Sequence, residues 1–239
     1  MESQSLWIVG APRSGTTFLA ALLNAHPQIT LTVESRLFAL LKQVVDVDCN
    51  RPDLLDAAHR HRFAEYIKRN AGALVERYYR EGLGVDTPIW GDKHPPYGDP
   101  ALLSGRDGPW LREPESGSAL RLIDEVLPNS KFIHIHRPTE QVAQSLLSRG
   151  WVSSLAEGMA VRRQYIDEIE GFFASIDGGR RLTLDYARLL DRPDEAAACV
   201  AEYLGVAVAP LTAFLHAERR NPTPFSAPVR NLTDVYRAL

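Results

Sequence analysis

Leu6-Trp7-Ile8-Val9-Gly10-Ala11-Pro12-Arg13-Ser14-Gly15-Thr16-Thr17-Phe18-Leu19 is the stretch that decides the fold. Four apolar residues run into a turn of glycine, proline and serine, and apolar residues then recur at Phe18, Leu19, Leu22 and Leu23. The short apolar run reads as a buried strand, and the spacing after it reads as a helix. Between them lies G-x-x-x-x-G-x-[ST], the spacing of loops whose backbone amides wrap a phosphate at a helix N-terminus. Nucleoside triphosphatases carry lysine where this chain has Thr16, and that lysine reaches the β- and γ-phosphates. Without it, the loop suits a ligand with less charge to neutralise, which Arg13 can contact from inside the loop. The blander alternative is a strand-to-helix turn that uses its glycines only for geometry.

Working outward, residues 29–33, 88–91, 131–136 and 181–184 read as further short strands. Helical patterns cover 34–45, 57–80, the residues leading to 127, 139–148, 156–176 and 194–204. On the helix at 57–80, the spacing puts Phe63, Ile67, Leu74 and Tyr78 on the inward face. Residues 46–56 read as a loop, and 97–117 as a long surface excursion of the kind that covers a site. The tail from 219 is Pro-rich and irregular until a final short helix. Strands alternating with helices predict an α/β fold in a single domain over 1–239. The expected architecture is a three-layer sandwich of the P-loop-containing nucleoside-triphosphate-hydrolase type, with a central, mostly parallel five-stranded sheet. In such sheets ligands bind beyond the carboxyl ends of the strands, and every chemistry-bearing motif in this chain falls at one.

A net charge of −3 argues against a nucleic-acid partner bound through bulk charge. Only Cys49 and Cys199 are present, too few for a disulfide scaffold, which suits a reducing compartment. The opening MESQSLWIVG lacks a basic segment before its apolar run, and no stretch reaches the roughly 18 apolar residues of a membrane span. These features predict a cytoplasmic location, and the sequon at Asn231 reads as chance. The histidines show no ligand-like pairing with Cys or acids, and His59 and His61 are spaced for a strand inside a helical stretch, so no metal is expected. Oligomeric state leaves no signature.

A second cluster follows the strand at 131–136. Arg137 ends that strand, Ser145 lies on the next helix, and Arg149 is one turn further on the same face. Together they can converge on a second phosphate, about a nucleoside's width from the first. Taken alone, Arg137 reads equally as a surface ion pair and Ser145 as a hydroxyl bonded within its helix.

The two segments together resemble the sulfotransferase family, whose donor is 3′-phosphoadenosine 5′-phosphosulfate. The resemblance covers most of the chain and is specific mainly at these two segments. It implies that Arg13, Ser14, Gly15, Thr16 and Thr17 hold the 5′-phosphosulfate, and that Arg137, Ser145 and Arg149 hold the 3′-phosphate. Tyr186 resembles a family tyrosine near the adenine; it reads equally as a side chain covering a helix start. For Phe18, one residue past the loop, plain core packing is the expectation. Arg230 resembles the basic residues of the family's late loop, which implies that it closes over the donor's 3′-phosphate, although residues 222–228 match no specific motif.

Sulfonate transfer needs a base for the acceptor proton and a cation for the leaving oxygen. Glu34, in Thr32-Val33-Glu34-Ser35-Arg36, resembles the Glu-x-Arg of the tyrosylprotein branch, where the glutamate is the base. That implies Glu34 as general base and Arg36 as its orienter or an acceptor contact. The alternative is a first-turn glutamate that stabilises a helix N-terminus. Lys93 resembles the family lysine that steadies the leaving group. Cytosolic members carry Lys-Thr-His, with histidine two residues beyond the lysine. His94, the rival base, is only one beyond, and neighbours in an extended segment point opposite ways, which favours Glu34 and leaves His94 as a loop residue or acceptor contact. The resemblance therefore implies in-line transfer of a sulfonate to a hydroxyl, less readily an amine, of a small-molecule acceptor, with adenosine 3′,5′-bisphosphate as product. A small-molecule kinase and a non-catalytic nucleotide-binding protein on the same fold are the alternatives.

Overall fold

Leu6, Trp7, Ile8 and Val9 have no exposed surface, as a parallel strand covered on both faces requires. The computed structural model describes residues 3–47, 57–102 and 117–220. Its strands are β1 (Gln4–Val9), β2 (Ile29–Val33), β3 (Ile89–Lys93), β4 (Lys131–His136) and β5 (Arg181–Asp185). Its helices are α1 (Thr16–Asn24), α2 (Leu37–Lys42), α3 (Ala57–Arg77), α4 (Leu120–Val126), α5 (Thr139–Ser148), α6 (Leu155–Ser175), α7 (Tyr186–Asp191), α8 (Pro193–Leu204) and α9 (Val208–Arg220). The five strands pair in the order β2-β3-β1-β4-β5, and every pairing is parallel.

Alternate residues of β1 feed two separate cores. Leu6 and Ile8 pack with α1, α7, α8 and α9 on one face. Trp7 and Val9 pack with α2, α3, α4 and α6 on the other. There Trp7 makes edge contacts with Phe38 at 5.0 Å, Tyr97 at 6.2 Å and Trp90 at 6.4 Å between ring centroids. Helix α5 packs on α6 through Val142, Leu146, Val161 and Tyr165, beside Ala11 of the glycine loop. Because β1 lies between β3 and β4, the chain changes sides of the sheet around it. A crevice is expected at such a switch point. Among the described residues no helix is long and apolar enough to cross a membrane.

Three expectations are corrected. On α3 the inward face carries Ala71 and Val75, continued by Tyr79, whereas Phe63, Leu74 and Tyr78 are exposed. Apolar residues occupy both faces of this helix, so spacing alone does not select the buried one. The segment after β3 does not begin as a surface excursion: Tyr97, Asp99 and Ala101 are buried, and Asp99 accepts a hydrogen bond from Tyr165. Helices α7 and α9 occupy stretches where no helix was expected.

His134 of β4 is buried against Phe173, and its Nε2 has no partner. Burial, with smaller contributions from His136 and Arg162, pushes its pKa down to about 4. In the unfolded chain it titrates near the ordinary 6.5, so between these values the unfolded state binds the extra proton. Stability is therefore full above pH 6.5 and falls by about 3 kcal/mol as pH drops towards 4. Denaturation midpoints measured from pH 7 to 4.5 should show that loss, and His134→Gln should flatten it.

Candidate functional site

The ladders fix which side chains meet at the carboxyl edge of the sheet. Val33 of β2 pairs with Lys93 of β3, and Lys93 pairs with Ile8 of β1. Val9 pairs with His134 of β4, and His136 pairs with Asp185 of β5. The residues that leave these strand ends therefore lie along one rim in spatial order: Glu34, then Lys93 and His94, then the loop from Gly10, then Arg137, then Tyr186.

The loop closes tightly before α1. Ser14 N–H donates to the Ala11 carbonyl at 3.1 Å, and Leu19 N–H to the Gly15 carbonyl at 3.0 Å. Arg13 and Gly15 are both in the left-handed region, at φ 72° and 105°. A Cβ on Gly15 would come within 2.4 Å of the Tyr186 ring, so only glycine lets that ring lie on the loop. Asp185 sets the ring's position by accepting the Ala187 N–H at 2.8 Å, which caps α7 and makes Tyr186 its first residue. Ser14 is buried with its hydroxyl unpartnered by protein, Thr16 is buried, and Thr17 is exposed.

Beside the loop, Arg13 Nε donates to Ser145 Oγ at 3.0 Å, and Arg137 donates to the Arg13 carbonyl at 3.3 Å. Arg137 also lies 5.3 Å over the Tyr186 ring, a cation–π geometry. Arg149 follows as the C-cap of α5. Burial pushes the Arg13 guanidinium below its ordinary pKa, and the like charges of Arg149 and Arg137 push it further. Like charges repel, so three guanidiniums on one rim form an electropositive point suited to an anion. Arg162, missed in the sequence, holds the Arg137 carbonyl through Nε at 3.1 Å and Nη2 at 2.7 Å. The ring of Trp151, also missed, lies 5.9 Å from Arg13.

On the other flank, Lys93 Nζ donates to Glu34 Oε1 at 2.6 Å. The lysine side chain is 1% exposed and the glutamate 56%, so the pair reaches solvent only through its carboxylate. Glu34 N–H donates to the Lys93 carbonyl at 2.8 Å. Glu34 and Arg36 both have φ 59°. For residues other than glycine that conformation costs about 1–2 kcal/mol each. Together with Arg13, they are the non-glycine residues at positive φ among those described, and all three lie on this rim. Behind the turn, Asp92 is fully buried and accepts hydrogen bonds from Thr32 Oγ1 at 2.9 Å and Ser35 Oγ at 2.7 Å. Each such bond contributes about 0.5–1.5 kcal/mol, so the two together are comparable to the local backbone strain. Asp92, Ser35 and Thr32 were missed in the sequence; the only signal was an acid directly before Lys93.

His94 is buried, its ring 4.7 Å from that of Tyr97, and its Nδ1 has no partner. Burial lowers its pKa, although Asp92 and Glu34 oppose the shift. It thus shares the Asp92 face of the strand. Arg36 is exposed at the start of α2. Arg230 lies outside the described residues. A cavity of about 520 Å³, lined by His134, His136, Glu170, Phe173, Arg181 and Thr183, opens over β4 and β5 at the far end of the sheet from Glu34.

A glycine loop before a helix N-terminus and an arginine cluster beside it, both at the carboxyl edge of a parallel sheet, are the class of feature on which phosphate groups are held in α/β proteins. The model of the sulfotransferase family matches residues 5–210, and the chain belongs to that family. A Caenorhabditis briggsae protein provisionally named a protein-tyrosine sulfotransferase is 24% identical over an alignment of 211 residues that covers 84% of this chain and 65% of that protein. The chain spans between about half and two thirds of the length of the curated relatives it matches. Among solved structures, the sulfotransferase domain of the Synechococcus PCC 7002 olefin synthase has the same fold, with a TM-score of 0.60 at 17% identity over 99% of this chain and 94% of that one. Mouse sulfotransferase SULT7A1, crystallised with PAP, matches with a TM-score of 0.50 at 13% identity over 95% of this chain and 69% of that one.

The Gly15–Tyr186 contact can be tested without any ligand. Gly15→Ala should destabilise the protein by about 1–3 kcal/mol, through positive φ and the ring contact together. The same change in a Tyr186→Ala background should cost at least about 1 kcal/mol less. Additive costs in denaturant titrations would mean that the ring does not rest on the loop.

Proposed function

We propose that the chain transfers a sulfonate group from 3′-phosphoadenosine 5′-phosphosulfate to a hydroxyl, less readily an amine, of a small-molecule acceptor. The order of groups along the rim carries the reading: a carboxylate and an ammonium at one end, a phosphate loop in the middle, an arginine cluster at the other. Membership of the sulfotransferase family and the PAP-bound mouse relative support it. The free thiol of Cys199 suits a reducing compartment, and we place the activity in the cytoplasm.

The residues present fit the donor. The loop amides and the unpartnered Ser14 hydroxyl face its 5′ end, with Arg13, Gly15, Thr16 and Thr17 completing the cradle. Arg137, Ser145 and Arg149 take the 3′-phosphate, the group that distinguishes this donor from ATP, and Tyr186 flanks the adenine. When bound, the donor supplies the sulfonate and a stable bisphosphate leaving group. Glu34, with its carboxylate open to solvent, removes the acceptor's proton. Lys93 meets the negative charge that develops on the leaving oxygen. Arg36 and His94 border the acceptor. In an in-line displacement the attacking and leaving oxygens lie on opposite sides of the transferred group, as in phosphoryl transfer. Glu34 thus serves the attacking side of the transferred group and Lys93 the leaving side.

A general base contributes about 10²–10⁴-fold. Glu34→Gln should lower turnover by about that factor, while affinity for adenosine 3′,5′-bisphosphate stays within roughly twofold. The assay is release of that bisphosphate from labelled donor across a panel of hydroxylated acceptors. Unchanged turnover in the variant would remove Glu34 from the base role and move attention to His94.

A further inference from the structure

We propose that Asp92 is a positioning residue for the reaction, holding the Glu34 carboxylate against Lys93 by way of Ser35; this rests on the reading of Glu34 as the base. Asp92 is 0% exposed on the face of β3 that packs against Trp7, Phe38, Tyr79 and Tyr97. A carboxylate there is costly to bury, and an apolar side chain would fill the space without that cost. Its partners explain why it is present. Thr32 lies directly opposite Asp92 in the β2–β3 ladder and donates to Oδ1, while Ser35 donates to Oδ2. Both bonds join β3 to the segment that carries Glu34.

Ser35 stands between the two left-handed residues Glu34 and Arg36. A serine hydroxyl anchored on a buried carboxylate cannot follow those residues back to ordinary backbone angles. Just before it, Glu34 N–H is fixed on the Lys93 carbonyl. Just after it, Phe38 N–H donates to the Tyr97 hydroxyl at 3.2 Å. The turn is thus tied to β3 and the segment after it on both sides of Ser35. With its backbone fixed, Glu34 reaches Lys93 Nζ at 2.6 Å yet keeps more than half of its side-chain surface open to an acceptor. The signature of positioning is an effect that exists only while Glu34 is competent.

The test is a double-mutant cycle read as turnover, with bisphosphate affinity measured in parallel. Ser35→Ala should lower kcat by about tenfold or more, because misplacing a reacting group by about an ångström costs up to about 10²-fold. Affinity for adenosine 3′,5′-bisphosphate should stay within about twofold. Ser35→Thr, which keeps the hydroxyl, should restore kcat to within about threefold, and Asp92→Asn should mimic Ser35→Ala in so far as it folds. In a Glu34→Gln background, Ser35→Ala should cause no further loss. Wild-type turnover in Ser35→Ala, an undiminished loss in the Glu34→Gln background, or kcat and bisphosphate affinity falling together would overturn the proposal. If Glu34→Gln alone keeps full turnover, the base reading fails and takes this proposal with it. If Glu34→Gln is impaired and Ser35→Ala is not, only the positioning role is lost.

Discussion

Parallel pairing is the constraint on which this molecule depends. When five strands run the same way in register, every segment leaving a carboxyl end emerges on the same rim. The ladder from Val33 through Lys93 to Ile8 sets the ends of β2, β3 and β1 at one level. Residues distant in sequence, such as Glu34 and Lys93, become hydrogen-bonded neighbours by that geometry. The two cores on either side of β1 then make the register costly to shift, since a slip of one residue would turn Leu6 and Ile8 towards the wrong face.

The rim is electrically divided. Towards β4 lie Arg13, Arg137 and Arg149, close enough for two of them to depress the pKa of the third. Towards β2 lies a carboxylate on a buried ammonium. Under the proposed function, the anionic donor is held in the first region and the acceptor's proton is removed in the second. The non-glycine residues with left-handed backbone stand at both ends of this arrangement. Strain of that kind persists where neighbouring contacts over-determine it. Here those contacts are Ser145 and Arg137 at Arg13, and Asp92 and Lys93 around Glu34.

Much of this was legible in the sequence, because each motif is local to one strand end. The turn from Gly10 to Thr17, Arg137 after an apolar run, and Lys93 before paired prolines each announce themselves within a few residues. The α/β architecture followed from alternation, and the structure sharpened it from mostly parallel to wholly parallel. The supports of those motifs were not legible. Arg162 reaches the Arg137 carbonyl from 25 residues away, and Ser35 reaches Asp92 across 57. Nothing in a residue's own neighbourhood encodes such a partner. The α3 face was misread for a related reason: Phe63, Leu74 and Tyr78 compete with Ala71, Val75 and Tyr79, and tertiary packing decides between them. The burial of Tyr97 likewise depends on the Trp7 and Phe38 rings, which come from elsewhere in the chain.

The central claim is that one rim recognises two phosphates of a single nucleotide, one at the loop and one at the arginine cluster. Calorimetric titration with adenosine 3′,5′-bisphosphate and with adenosine 5′-monophosphate addresses it directly. A charge-assisted contact contributes about 1.5–3 kcal/mol, so the bisphosphate should bind at least about tenfold more tightly, and Arg137→Ala should erase most of that preference. Equal affinity for the two nucleotides, or a preference that survives Arg137→Ala, would contradict the account.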